Sequence, residues 1–256
     1  MVVFIVLPLG LVVYFAFTDK SGALTLANLS ELTKYAPVFV RSILLAAIAT
    51  VICLVLAYPL AYMLSRMRAN RQRLTLFLVM LPMWMNFLLR TYGWMTLLEN
   101  SGLINRFFGL FGIGPFQMIN TSGAVVLGMV YNYLPFMILP LYTVMVKIDD
   151  SLIEAAADLG CGFWAVFRKV VWPLSVPGVS SGVTMVFVPA ISTFVISRML
   201  GGGTHLLIGD LIELQFMGNA YNYNLGSAMS LVLMVLVLVC LAITNQMSDE
   251  GMEGVI

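Results

Sequence analysis

Apolar stretches about as long as a bilayer is thick recur from one end of this chain to the other, and they leave little besides a bundle of membrane-crossing helices. A helix needs roughly 17 to 25 mostly apolar residues to cross, and about six stretches meet or approach that length: residues 1 to 17, 39 to 64, 74 to 97, 122 to 146, 176 to 199 and 223 to 245. With 61% hydrophobic and only 10% charged residues there is too little polar surface for a water-soluble domain. The expected fold class is therefore all-α integral membrane, with lipid bilayer as its solvent. The first stretch is short and contains Pro8 and Gly10. No basic residues precede it and no small-residue cleavage site stands before Asp19, so it reads as a true span with little or no tail ahead of it, not as a secretory leader.

Orientation follows from arginine and lysine in short loops. Arg66, Arg68, Arg71 and Arg73 follow the second stretch with no acidic residue among them, which places that loop in the cytosol. Two spans later, Lys147, Arg168 and Lys169 fall on the same side. An even number of spans then puts both termini in the cytosol and turns loops 18 to 38, 98 to 121 and 200 to 222 outward. Pro59, Pro82, Pro135, Pro140 and Pro189 lie inside the spans. Such breaks persist where neighbouring helices or cavity water satisfy the freed carbonyls, so a kinked, packed bundle is expected.

Several chemistries are excluded. A net charge of +1 and arginines confined to one loop give no nucleic-acid signature. Cys53, Cys161 and Cys240 have neither CxxC nor Cys/His ligand spacing, so no disulfide or metal is assigned. His205 follows Gly201, Gly202 and Gly203 in an outward loop and reads as solvated; no Lys-Ser/Thr follows the glycines, so they are no phosphate loop. The chain is expected to be no enzyme and to bind no cofactor. Carriers coupled to protons or sodium usually keep an ionisable group within the bilayer. Here every Asp and Glu falls in a loop or at a span edge, so the energy for any transport must come from another subunit.

A polar route has candidates. Pro82, Asn86, Arg90 and Trp94 recur every four residues and would share a helix face. An arginine costs about 2.5 to 3.5 kcal/mol at a bilayer centre on insertion scales, so Arg90 either snorkels to the outer boundary or serves the pathway or a subunit interface. Asn132 and Tyr133 ahead of Pro135, and Ser192 and Thr193 after Pro189, either line a path or glue helices together. Asp210 and Glu213, one turn apart and followed by Tyr221, Asn222, Tyr223 and Asn224, suit a cationic amine at an external mouth. They suit better still an interfacial helix with a solvated face and a tyrosine belt.

One polar island interrupts the apolar runs. Ser151 and Glu154 have capping-box spacing, so a helix should begin there and end at Gly160. A second short segment, 163 to 172, sets Phe163, Trp164 and Phe167 on one side, leaves Arg168 and Lys169 free, and should stop at Pro173. The expectation is a helix-turn-helix at the membrane surface.

This island resembles the EAA loop of ABC-importer permeases: Glu-Ala-Ala, three residues, Gly, nine residues, then Ile-x-Leu-Pro. Glu154, Ala155, Ala156, Gly160, Val170 and Pro173 match it, with Val170 for Ile and Trp172 for Leu as apolar departures. The resemblance implies the type I ABC-importer permease fold, one such transmembrane domain over 1 to 256, and a cytosolic coupling loop at 147 to 173 that docks into an ATPase subunit through Glu154, Ala155, Ala156, Asp158, Gly160 and Pro173. More narrowly, Leu81-Pro82-Met83-Trp84, Asn86, Leu89-Arg90-Thr91-Tyr92-Gly93-Trp94, Tyr133-Leu134-Pro135-Phe136-Met137, Asp158-Leu159-Gly160 and Met199-Leu200-Gly201-Gly202 look like spermidine/putrescine permeases. That implies a bacterial cell membrane, a second homologous permease, an ATPase homodimer carrying ATP and Mg, and an extracytoplasmic polyamine-binding protein. Permeases for iron, sulfate or other amines share this architecture. A secondary carrier or channel would instead act without an ATPase, and a scaffold would bind one and move nothing.

Overall fold

The computed structural model describes residues 2–19, 21–203, 205–217 and 222–253, so Tyr221 lies outside the described residues. Among the described residues the regular elements are helical. They are α1 (Val2–Ala16), α2 (Ala27–Glu31), a 3-10 turn (Leu32–Tyr35), α3 (Ala36–Ser65), α4 (Ala69–Trp84), α5 (Phe87–Leu98), α6 (Leu103–Gly109), α7 (Ser122–Met145), α8 (Asp150–Asp158), α9 (Phe163–Val166), a π-turn (Phe167–Val171), α10 (Trp172–Ser192), α11 (Val195–Gly201), α12 (Ile208–Met217) and α13 (Tyr223–Glu253). Four continuous helical segments are long and apolar enough to cross a membrane: Ala27–Ser65, Ser122–Met145, Phe163–Ser192 and Tyr223–Thr244. The pair Ala69–Trp84 and Phe87–Gly109, bent by 88°, makes a fifth if counted as one span. The 15-residue α1 is apolar but shorter. Six spans are compatible with this set, α1 supplying the sixth.

Three helix boundaries differ from expectation, each for a backbone reason. The stretch 74 to 97 is not one helix: Met85 is extended (φ −78°, ψ 150°), and Asn86 restarts the chain by accepting from the N–H groups of Leu88 and Leu89 at 2.8 and 3.4 Å. The face proposed for Pro82, Asn86, Arg90 and Trp94 therefore does not exist. In the stretch 176 to 199, α10 stops at Ser192 and Phe194 (φ −130°) precedes α11. Pro173, by contrast, does not stop the helix begun at Phe163. The π-turn widens the backbone, with Trp172 N–H bonding Phe167 O five residues back, which makes room where a proline ring would otherwise meet a carbonyl of the preceding turn. Arg71 and Arg73 also lie on α4, not in a loop.

Chain contacts group the residues into two compact units. The first comprises Met1–Ala47, Arg90–Gly128 and Pro189–Val239. Leu211, Leu225 and Met229 are buried there against Leu32, Tyr35 and Val38. The end of α1, where helical N–H groups run out, is tied down by two asparagines. Asn28 Nδ2 donates to Ala16 O and Thr18 O at 3.1 and 2.9 Å, and Asn224 Nδ2 donates to Phe15 O and Thr18 O at 3.1 and 2.5 Å. His205 is not the free loop residue expected: its Nδ1 meets the Arg41 guanidinium, which also bonds Ser122 Oγ at 2.9 Å.

The second unit comprises Ile48–Leu89, Met129–Val188 and Cys240–Ile256. Within it α7 buries Met129, Tyr133, Met137, Leu141 and Met145, one every four residues and hence on one face. Its partner α10 comes close because it carries glycines: a Cβ on Gly182 would lie 2.6 Å from Met137 Sδ, and one on Gly178 3.1 Å from Pro140 O. Small residues that let backbones approach are the usual way membrane helices gain dispersion contact.

The candidate coupling loop and the polar positions

The loop that joins α7 to α10 is built by local chemistry at each corner. Asp149, not Ser151, caps α8: its carboxylate accepts from Ser151 N–H at 3.0 Å. An acid satisfies an orphan amide and meets the positive end of the helix dipole, so it outcompetes the serine two residues on. The bonds from Ser151, backbone first and then side chain, hold the Asp149 carboxyl below its ordinary 3.8, with nearby Arg66 adding to the shift.

At the other end Gly160 sits at φ +83°. Its N–H bonds Ala157 O at 2.8 Å, and Cys161 N–H bonds Ala156 O at 3.1 Å. This is the Schellman closure, which needs a left-handed residue after the helix. The chain then turns back so that Ile153 and Ala156 pack on Ile148, Val166 and Val171, together with Tyr62, Cys161 and Phe167.

Among the described residues, the outer side of α8 is left without a partner. Glu154, Ala155, Asp158 and Gly160 are exposed, and Ala156 is half-buried. Beside them stand Leu159, Phe163 and Trp164 at 86%, 68% and 76% exposure. Acidic groups ringed by large apolar side chains make a surface suited to a protein partner more than to water. A pocket of about 200 Å³ opens beneath, lined by Tyr62, Ile153, Cys161 and Phe167 among others. Pro173 lies at the start of α10, beyond the π-turn.

The positions proposed for a substrate path fall on several elements. Asn86 is the cap of α5. Arg90 is half-buried on α5, and its Nε and Nη1 are buried without an acceptor. Asn132 and Tyr133 are buried on α7. Ser192, exposed, and Thr193, buried, lie where α10 ends, and their carbonyls approach the backbone of Gly209 at the start of α12.

The two acidic candidates are already engaged. Asp210 is buried and folds back to accept from Leu207 N–H at 2.8 Å, the reciprocal half of a capping box. Glu213 receives both terminal nitrogens of Arg198, with Nη1 at 3.0 Å from Oε1. Neither forms the open acidic mouth expected, nor the solvated helix face weighed against it. Asn224, in the same run, spends its amide on α1.

Sequence reasoning missed the side chains at the end of α3 and just beyond it that hold the loop. Tyr58, Tyr62 and Arg66 recur every four residues at the end of an apolar run, and that spacing was the available signal. Arg66 was read only as a marker of orientation.

Comparison with known proteins assigns this architecture. Residues 1–249 match the family described as binding-protein-dependent transport system inner membrane component. The spermidine/putrescine transport system permease protein PotB of Haemophilus influenzae is 39% identical over 246 residues, covering 92% of this chain and 86% of that protein. Its Escherichia coli K12 namesake is 36% identical over 245 residues, with 92% and 89% covered. A chain of the bacterial ABC transporter that imports the acidic polysaccharide alginate shares the fold, with a TM-score of 0.81 at 15% identity over 97% of this chain and 91% of that one. The chain belongs to the binding-protein-dependent transport system inner membrane component family, as a multi-pass membrane permease.

Proposed function

We propose that this chain is a permease subunit of an ATP-driven importer of polyamines, spermidine and putrescine. The observation that carries the reading is the loop between α7 and α10: a capped, glycine-closed helix whose acidic and apolar outer face has no partner among the described residues, in a protein over a third identical to permeases named for these substrates. The face of α8 docks on a cytosolic ATPase homodimer, which carries the ATP and Mg. This chain holds no cofactor and catalyses no reaction. A second, homologous permease completes the path, and an extracytoplasmic polyamine-binding protein delivers the substrate. Both termini and the loop at 147 to 173 lie in the cytosol.

The packing of Ile153 and Ala156 onto Ile148, Val166 and Val171 makes α8 rigid with the start of α10. Closure of the ATPases then moves α8 as a lever. Glu154 supplies the charge that the ATPase groove reads, Ala155 allows close approach, and Gly160 and Asp158 fix where the helix stops.

The test is uptake of labelled spermidine and putrescine in cells lacking their own importer, expressing this chain with and without its ATPase, second permease and binding protein. Uptake should require the whole set and vanish in Glu154→Lys while the protein stays in the membrane. Uptake by this chain alone would overturn the reading in favour of a carrier or channel.

A further inference from the structure

The coupling loop is gripped from the end of α3 and the turn that follows it. Just beyond α3, Arg66 Nη1 donates to Ile148 O at 3.1 Å and to the Asp150 carboxylate, the two residues that flank the Asp149 cap of α8. Its guanidinium carbon lies 5.7 Å from the centre of the Tyr62 ring, which itself packs into the cluster beneath α8. One turn further back, Tyr58 stands 5.5 Å from both the Phe167 and Trp172 rings. Its hydroxyl is 2.7 Å from Ser175 Oγ, and Ser175 already donates to Trp172 O at 2.9 Å, so Tyr58 is the donor. Thus Arg66 holds the beginning of the loop and Tyr58 its end, with Tyr62 between them.

Stability does not explain the arginine. Asp150 is 73% exposed, and ion pairs of that kind contribute about 0 to 1 kcal/mol. Meanwhile Arg66 Nε and Nη2 are buried without an acceptor, which is unfavourable. What the arrangement supplies is direction: one guanidinium nitrogen, bonded to both a carbonyl and a carboxylate, ties the start of α8 to the end of α3.

We propose that Arg66 is a positioning residue that delivers the displacement of α8 to α3, so that α3, and not only the directly connected α7 and α10, moves when the partner ATPase closes. This rests on the coupling reading above. Its loss should uncouple the machine without dismantling it.

The experiment uses the full complex in proteoliposomes with spermidine-loaded binding protein outside, measuring ATP hydrolysed and spermidine taken up in the same vesicles. For Arg66→Ala the ratio of ATP spent to spermidine imported should rise roughly two- to thirtyfold, the range seen for residues along coupled networks, with hydrolysis largely retained. Asp150→Asn, which leaves the Asp149 cap in place, should move the ratio the same way by less, and Arg66→Lys should fall between wild type and Arg66→Ala. A wild-type ratio in Arg66→Ala, or hydrolysis and uptake falling together in all three variants, overturns the positioning role while leaving the importer reading intact. Wild-type complex that takes up spermidine without hydrolysing ATP would overturn both.

Discussion

Gly160 shows how a single residue sets the loop between α7 and α10. A Cβ placed there would meet nothing within 4 Å, so space is not what excludes other residues. The constraint is the backbone at φ +83°, where an ordinary L-residue pays about 1 to 2 kcal/mol. Gly160→Ala should therefore lower uptake and Gly160→Val should lower it further, because β-branching suits the left-handed region least, whereas Gly160→Asn should retain most of it. Parallel uptake and membrane-level assays on the three variants check the order. An order following side-chain volume alone, with Asn worse than Ala, would point to steric exclusion by the partner. This glycine was legible from sequence because a left-handed cap leaves a residue-type signature. Asp210 and Glu213 were misread because a carboxylate looks the same in sequence whether it faces solvent, folds onto its own helix end or meets an arginine. Arg198 stands 15 residues from Glu213, and no local spacing rule links the two.

The elements show a similar division. Long apolar helices such as α3 and α7 were readable because hydrocarbon demands length and continuity. Their interruptions were not, since proline broke nothing at 173 and an asparagine restarted the chain at 86. What decides is whether the freed backbone groups find partners, and the π-turn before Pro173 provides for them by changing register. The α7 and α10 pair permits a graded test. A methyl on Gly182 meets the flexible end of Met137, which can swing aside, but on Gly178 it meets Pro140 O, Val144 Cβ and Leu141 Cα at 3.1 to 3.2 Å, which cannot. Gly182→Ala should be nearly neutral, while Gly178→Val should cost about 1 to 3 kcal/mol by forcing the helices apart. Thermal unfolding in detergent separates the two, and equal losses would show that the contact is not rigid.

At the scale of the whole molecule, length and apolarity announced a bundle of membrane-crossing helices, and the motifs along it announced the permease family. The end of α1 adds a consequence for how such a protein is made. Asn28 reaches the carbonyls of Ala16 and Thr18 as soon as the ribosome has delivered it, but Asn224, which donates to Phe15 O and Thr18 O, arrives more than two hundred positions later. During synthesis the end of the first helix is therefore tied down in two stages, first locally and then by the last helix.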